Sequence, residues 1–447
     1  MSKPIPYSYI CSNVYSSNSQ KMNKKYILLT ITIFVLVQNV FSQTVPGEAQ
    51  SKDIAITEAT IHIGNGTMIS KGTIIFSKGK ISYVGTNPSI NDNTIQIQAQ
   101  GKHVYPGFIA TNSSIGLQEI EQVKATNDEY ELGEFNANVR SIIAYNTDSK
   151  VLPTLRSNGV LLAQVVPQGG RISGQSSIVQ LDAWNWEDAL VSMDQGIHLR
   201  WPYFNRPQSE ENKSNSYNKQ IQSIKDFFDE ALAYQKTSHE SQKNLRYEAM
   251  QGLWQGTKKL FIHTSAAKTI QHAVNFANQY GLKVVIVGAE ESWRITDFLK
   301  ANQTEIVLSE THNLPFREDD DYDQPFKTPR LLQAAGIPFC LGLNGFWQQR
   351  NLPFQAGQAV ALGLDYEQAV QMISLAPAKI LGIDQYCGSL EPGKDANIII
   401  SNGDALDMKS HEIIRAFIQG REIDLNNVHK ELYNKFNTKY QRINSRK

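Results

Sequence analysis

Four side chains able to bind a metal or move a proton stand at or just beyond apolar, strand-length runs: His263, Glu290, Glu310 and His312. Glu310 and His312 have the i, i+2 spacing that places both on one face of an extended segment, and imidazole nitrogen with carboxylate oxygen is donor chemistry that suits zinc. Together the four could hold one divalent ion such as zinc. The plainer reading makes them a helix cap or ion pair (Glu290), loop residues (Glu310, His312) and a core histidine (His263). Residues 167–177, rich in Gly and Ser, could cradle an anion through backbone N–H groups with Arg171 adding charge, or form an ordered loop at the top of a barrel. They lack the Gly-x-x-x-x-Gly-Lys-Ser of a nucleotide-binding loop. Trp184, Trp186, Trp201 and Trp347 fall in or near expected mouth loops, where large rings stack a ligand or pack on a rim. Ser113, Ser114 and His263 could meet as a Ser/His pair, although the chain has no Gly-x-Ser-x-Gly elbow. The acidic run 318–323 lacks EF-hand spacing and reads as a solvated loop.

These residues need a frame to bring them together. Eight apolar runs of strand length occur at 107–111, 160–166, 177–181, 196–199, 260–263, 284–287, 305–308 and 337–343. Most are separated by helical periodicity, with Ile221, Ile224, Phe228 and Leu232 in one interval and Ile270, Val274 and Ala277 in another. Strand alternating with helix, eight times, predicts a (β/α)8 barrel of TIM type, whose chemistry sits at the strand ends. The intervals around the third and fourth runs are the shortest and carry the weakest helical pattern. Before the barrel, 54–63 and 73–84 alternate like strands around turn residues, and 395–400 and 413–419 do so after it. The expected organisation is therefore a β-sandwich built from both chain ends (43–106 and 387–424), a barrel over 107–386, and a helical tail over 425–447.

Composition narrows the function. Lys and Arg number 43 and Asp and Glu 43, which leaves no basic field for a nucleic acid backbone. Residues 22–43 carry a basic start, an apolar run over 27–37 and small or compact residues before Gln43, the pattern of a secretory signal peptide cleaved after Ser42. The apolar run is too short to span a bilayer of ~30 Å, so the sequence predicts an exported, periplasmic or extracellular protein with no transmembrane anchor after cleavage. Cys340 and Cys387 sit beside apolar runs and are expected as free, buried thiols.

The segments Val104-Tyr105-Pro106-Gly107-Phe108-Ile109, Ala376-Pro377-Ala378-Lys379-Ile380-Leu381-Gly382 and 388–397 resemble the amidohydrolase superfamily, particularly its imidazolonepropionase-like branch. The resemblance implies a metal-centred (β/α)8 barrel flanked by a β-sandwich, and hydrolysis of C–N bonds other than peptide bonds in linear or cyclic amides, or of small peptides. It also implies a ligand set that this chain departs from. Where the superfamily carries His-x-His on the first strand, the chain has Asn112 and Ser114; His263 matches the fifth-strand His; Gly288 replaces the sixth-strand His; and Asn344 replaces the eighth-strand Asp that serves as ligand and base. An amide cannot take a proton from water, so the hydroxide-generating step lacks its base. Two functions of different class follow. One is a hydrolase with an atypical site, with His263 and Asn344 at catalytic positions and Asn112, Ser114, Arg171 and Trp347 against the substrate. The other is a metal-less barrel that binds a small molecule or small peptide, or serves as a partner subunit, beside a second copy or a homologous chain.

Overall fold

The computed structural model describes residues 45–203, 210–236 and 243–445, so the expected signal segment lies outside the described residues. The chain from Val45 onward forms one compact unit. Its first strands are β1 (Ile54–His62), β2 (Met68–Ser77), β3 (Lys80–Gly85), β4 (Ile95–Gln98) and β5 (His103–Pro106). Lys78 and Gly79, both at positive φ, join β2 to β3 in the two-residue turn that matches strand twist.

The eight expected runs then appear as β6 (Phe108–Ser113), β7 (Val160–Val165), β8 (Ile172–Gln180), β9 (Leu190–Arg200), β10 (Lys259–Thr264), β11 (Val284–Gly288), β12 (Glu305–Leu308) and β13 (Phe339–Leu341). They follow one another in sequence order around a single sheet. A parallel bridge between Thr111 and Gly342 joins the last strand to the first, and Thr111 Oγ1 donates to Leu341 O at 3.1 Å across the same seam. Gly342 is required there, because a Cβ would stand 2.4 Å from Val307 Cγ1 and 2.9 Å from Thr111 Oγ1. The fold is thus a TIM-like barrel, with one departure from the all-parallel expectation: β8 runs antiparallel to both β7 and β9. The connections 166–171 and 181–189 are too short for a parallel crossover of a dozen or more residues, and short links permit only strand reversal. The helix Ala267–Gln279 buries Ile270, Ala273, Val274 and Ala277 at i, i+3, i+4, i+7 against this sheet, as the periodicity predicts.

Beyond the barrel, β14 (Ile398–Ser401), β15 (Ile413–Ile418) and β16 (Arg421–Glu422) complete the first sheet in the order β16-β15-β14-β5-β1-β2-β3, with β4 also on β1. Both chain ends therefore build one β domain. Phe76 of β2 and Phe417 of β15, with three strands between them in that order, meet edge to face at 5.2 Å, so the sheet curls onto its own apolar core.

Two buried polar clusters tie the β domain to the barrel. In the first, His62 Nδ1 lies 2.6 Å from Glu367 Oε1 and His62 Nε2 lies 3.0 Å from His103 Nδ1. Tyr366 donates to Asp404 at 2.5 Å and accepts from Tyr105, whose ring stacks on His62 at 4.3 Å. Burial, then the neighbouring His62, lowers the His103 pKa. In the second, Asp182, 1% exposed, binds Arg156, Arg421 and the Gly47 N–H. Cys340 and Cys387 are free and buried, and burial pushes both thiols up to about 12. Among the described residues no helix is long and apolar enough to cross a membrane.

Candidate functional site

The ends of β6, β9, β10, β11 and β12 and the loop after β13 surround a cavity of about 570 Å³, within the ~300–1,000 Å³ of small-molecule sites. Of the residues singled out from sequence, Asn112, Arg171, Trp201, His263, Gly288, Glu290 and Asn344 line it. Arg171 reaches the mouth on the link 166–171, which leaves the end of β7 there and turns straight into the start of the reversed β8.

The remaining candidates lie elsewhere. Ser114 is 1% exposed and hydrogen-bonds Glu129 behind the wall. Trp347 packs beside Phe346, edge-on to His429 and under the Arg350 guanidinium, away from the cavity. Glu310 faces a neighbouring small pocket shared with Glu290, and accepts from Asn344 Nδ2 at 3.4 Å. His312 stands beyond it, its backbone N–H bonded to Gln355 and its ring against Phe326. The four expected metal donors are therefore not gathered, because His312 leaves the strand line and turns outward; among the described residues no group of three or more His, Cys, Asp or Glu side chains is placed to hold an ion. The acidic run pairs with cations instead: Asp320 with Arg294, and Asp321 and Asp323 with Lys327. Trp184 and Trp186 sit on the connection from β8 to β9, which the reversal sends to the end of the barrel opposite the mouth; Trp201 does line the cavity.

Inside the mouth, the side chains form two polar chains. Asn112, in the left-handed region at φ 54°, donates from Nδ2 to Asn344 Oδ1 at 3.2 Å, and Asn344 continues to Glu310. Across the cavity, His263 Nε2 lies 2.9 Å from Nδ1 of His198, so the expected Ser/His pair is replaced by a His/His pair. Burial, then the Arg200 charge, brings the His263 pKa down to about 3, and burial with His263 and Arg200 lowers that of His198 well below the usual imidazole value. Both rings are neutral at pH 7. Arg200 bonds Gln168, Arg171 bonds Arg200 O at 3.0 Å and Gln220 at 2.7 Å, and neither guanidinium meets a carboxylate among the described residues. Burial lowers the pKa of each. Three residues that line the cavity carry a buried polar atom with no hydrogen-bond partner among the described residues, Asn112 Oδ1, Arg200 Nε and Glu290 Oε2, and so does His198 at Nε2, on the ring bonded to His263. At a wall of the same cavity Gly288 has φ 99°, and a Cβ there would stand 2.9 Å from Ser265 Oγ, 3.3 Å from Thr264 O and 3.4 Å from Glu290 Oε2. His198 and Arg200 escaped the sequence reading, although their i, i+2 spacing at the end of the fourth run puts both on one face of a strand.

Residues 328–424 match the model of the amidohydrolase family. That match covers under a quarter of the chain. Its fold is similar to that of an amidohydrolase from Thermotoga maritima, with a TM-score of 0.70 and 22% identity over 83% of this chain and 99% of that one. It is also similar to molinate hydrolase, with a TM-score of 0.50 and 14% identity over 85% of this chain and 95% of that one. Among curated proteins, a 72-residue stretch is 33% identical to adenine deaminase of Desulforamulus reducens, covering 15% of this chain and 12% of that protein. A stretch of 373 residues is 17% identical to amidohydrolase tasK of Hapsidospora irregularis, covering 75% of this chain and 38% of that protein. The matched stretches thus span well under half the length of these two superfamily relatives.

Proposed function

We propose that the barrel mouth binds a small molecule bearing a carboxylate or amide, and does so without the metal-bound hydroxide that the superfamily resemblance implies. The observation that carries this reading is the donor set around the cavity. A catalytic zinc takes about three protein ligands from imidazole, thiolate or carboxylate. Of the five superfamily positions, this chain supplies one such donor, His263, whose Nε2 is engaged by His198; two positions are amides, one is a serine behind the wall, and Gly288 has no side chain and a positive φ that strains any other residue. These residues do not fit the ion. They do fit an oxygen-rich ligand: two guanidinium groups with no hydrogen-bonded carboxylate among the described residues, two side-chain amides, and an apolar wall of Trp201, Val287 and Val307, beside the carboxylates of Glu134 and Glu290. Arg171 and Arg200 would hold its negative charge, and the Asn112–Asn344 pair would bond its amide or carboxyl oxygens.

Metal-free hydrolysis of a C–N bond is the second reading, supported by Glu290. One carboxylate oxygen of this residue is buried at the cavity wall without a partner, and a positioned carboxylate can take a proton from water. N-acyl amino acids, cyclic amides and dipeptides, titrated calorimetrically and followed for product, separate the two. Binding that is lost in Arg171→Gln and Arg200→Gln, with no product, supports the binding reading. Product that survives chelator and disappears in Glu290→Gln moves the second reading ahead. Turnover that requires added zinc overturns both. Export belongs to the same proposal and rests on residues 22–43 alone; a secreted chain beginning at Gln43 in N-terminal sequencing supports it, and an intact apolar run refutes it.

A further inference from the structure

The helix Val428–Asn444, expected as a tail packed on the surface, is held to the body only at its start. Asn427 caps it, accepting from the N–H groups of His429 and Lys430, and is itself buried with its Nδ2 on Ser157 Oγ at 2.9 Å. His429 meets Trp347. From Leu432 to Asn444 the hydrogen bonds and ring contacts among the described residues stay within the helix and Ser445, and no residue of the helix is buried.

The exposed surface is not uniformly polar. Val428, Leu432, Tyr433, Phe436, Tyr440 and Ile443 are between 44% and 68% exposed; at ~3.6 residues per turn they occupy one arc of roughly 140°. Lys435 and Arg442 border one edge of that arc and Lys439 lies just inside it; Lys430 lies on the opposite face, and the one acid of the helix, Glu431, stands beside the basic edge. Lys435 and Lys439 place their ammonium groups 6.0 Å from the Phe436 ring, and neither they nor Arg442 meets a carboxylate among the described residues. A second copy laid on this stripe would bring the same lysines together, so like charges oppose self-pairing. An aromatic and aliphatic arc with a basic border instead suits a surface that is apolar inside and negatively charged outside.

We propose that this helix docks the protein in the plane of an anionic phospholipid bilayer, with Leu432, Phe436, Tyr440 and Ile443 among the acyl chains and Lys435, Lys439 and Arg442 at the lipid phosphates. The test uses the compact unit Val45–Lys447, which omits the apolar run at 27–37, sedimented with vesicles of phosphatidylglycerol and phosphatidylcholine in equal parts and with vesicles of phosphatidylcholine alone. Binding to the anionic vesicles is expected to be at least about tenfold tighter and to weaken with salt. The triple variant Lys435→Glu, Lys439→Glu, Arg442→Glu is expected to lose roughly a hundredfold on anionic vesicles. Leu432→Ser with Phe436→Ser is expected to lose binding to both, and both variants to melt like the parent. No binding to anionic vesicles, binding indifferent to both variants, or a lowered melting temperature in either would overturn the proposal. So would a concentration-dependent dimer, without vesicle binding, that the Ser variant dissolves.

Discussion

The two ends of the barrel treat polar groups differently. At the end facing the β domain, Asp182 is surrounded by two guanidinium groups and a backbone N–H, and this cluster with the His62–Glu367–His103 and Tyr105–Tyr366–Asp404 chains leaves two atoms, Arg156 Nε and Glu367 Oε2, without a partner among the described residues. At the mouth, Asn112, Arg200 and Glu290, and His198 bonded to His263, each carry a buried polar atom with no partner among the described residues. Buried polar groups are nearly always satisfied in native proteins, and three of these four residues line the cavity of the proposed ligand. The histidine and carboxylate chemistry that the superfamily resemblance would put at the mouth is found, in this chain, joining the two domains.

This contrast can be broken by substitution, beginning at the wired end. Asp182→Ala leaves Arg156 and Arg421 buried without their carboxylate and is expected to cost about 3–5 kcal/mol, read as a lowered urea midpoint. Gly288→His, a step toward the superfamily ligand set, is expected to destabilise by roughly 2–3 kcal/mol because a ring must enter at positive φ against Ser265. It should add no zinc by elemental analysis; a stoichiometric metal would show that the mouth can still be rebuilt. Glu367→Ala should cost about 1–3 kcal/mol in thermal unfolding by stranding His62. Asn344→Ala, exposed at the mouth, should stay within about 0.5 kcal/mol of the parent while losing ligand affinity. Equal losses at the two ends would end the comparison.

Acidity sharpens it further. The folded pKa of His263, about 3, lies below that of the unfolded chain, so the unfolded state binds the extra proton between the two values. Stability at this residue is complete above the ordinary imidazole pKa and is lost as pH falls toward 3; His198 shifts in the same direction. His263→Gln is expected to move the acid-unfolding midpoint to lower pH. An unchanged midpoint would mean that the pair is hydrated or open in solution.

Most of the frame was legible because it rests on pattern. Eight apolar runs gave eight barrel strands, and alternating segments at both ends gave a composite β domain, since periodicity reports which faces are buried. Direction was not legible at the third strand. Runs 177–181 and 196–199 look alike whichever way they point, and only the shortness of the links 166–171 and 181–189 betrays the reversal. That one inversion misplaced Trp184 and Trp186 and hid the value of Arg200. At the site, Asn112, His263, Glu290 and Asn344 were found from strand ends. Ser114 and His312 were misjudged because strand spacing ceases to predict facing once the backbone turns, as it does at Asn112 with φ 54°.

The Thr111–Gly342 contact has a kinetic consequence. Seven joints of the ring are ladders of several residue pairs, whereas this one is a single backbone bridge with side-chain bonds from Thr111, Asn112 and Ser113 beside it. Local opening follows the weakest set of backbone bonds, so the clasp between the first and last strands should release before the rest of the barrel and let deuterium into the amides around Gly342. Asn112 and Asn344 sit on its two sides. A molecule spanning both would hold the clasp shut, and slowed exchange there would report occupancy even where no reaction takes place.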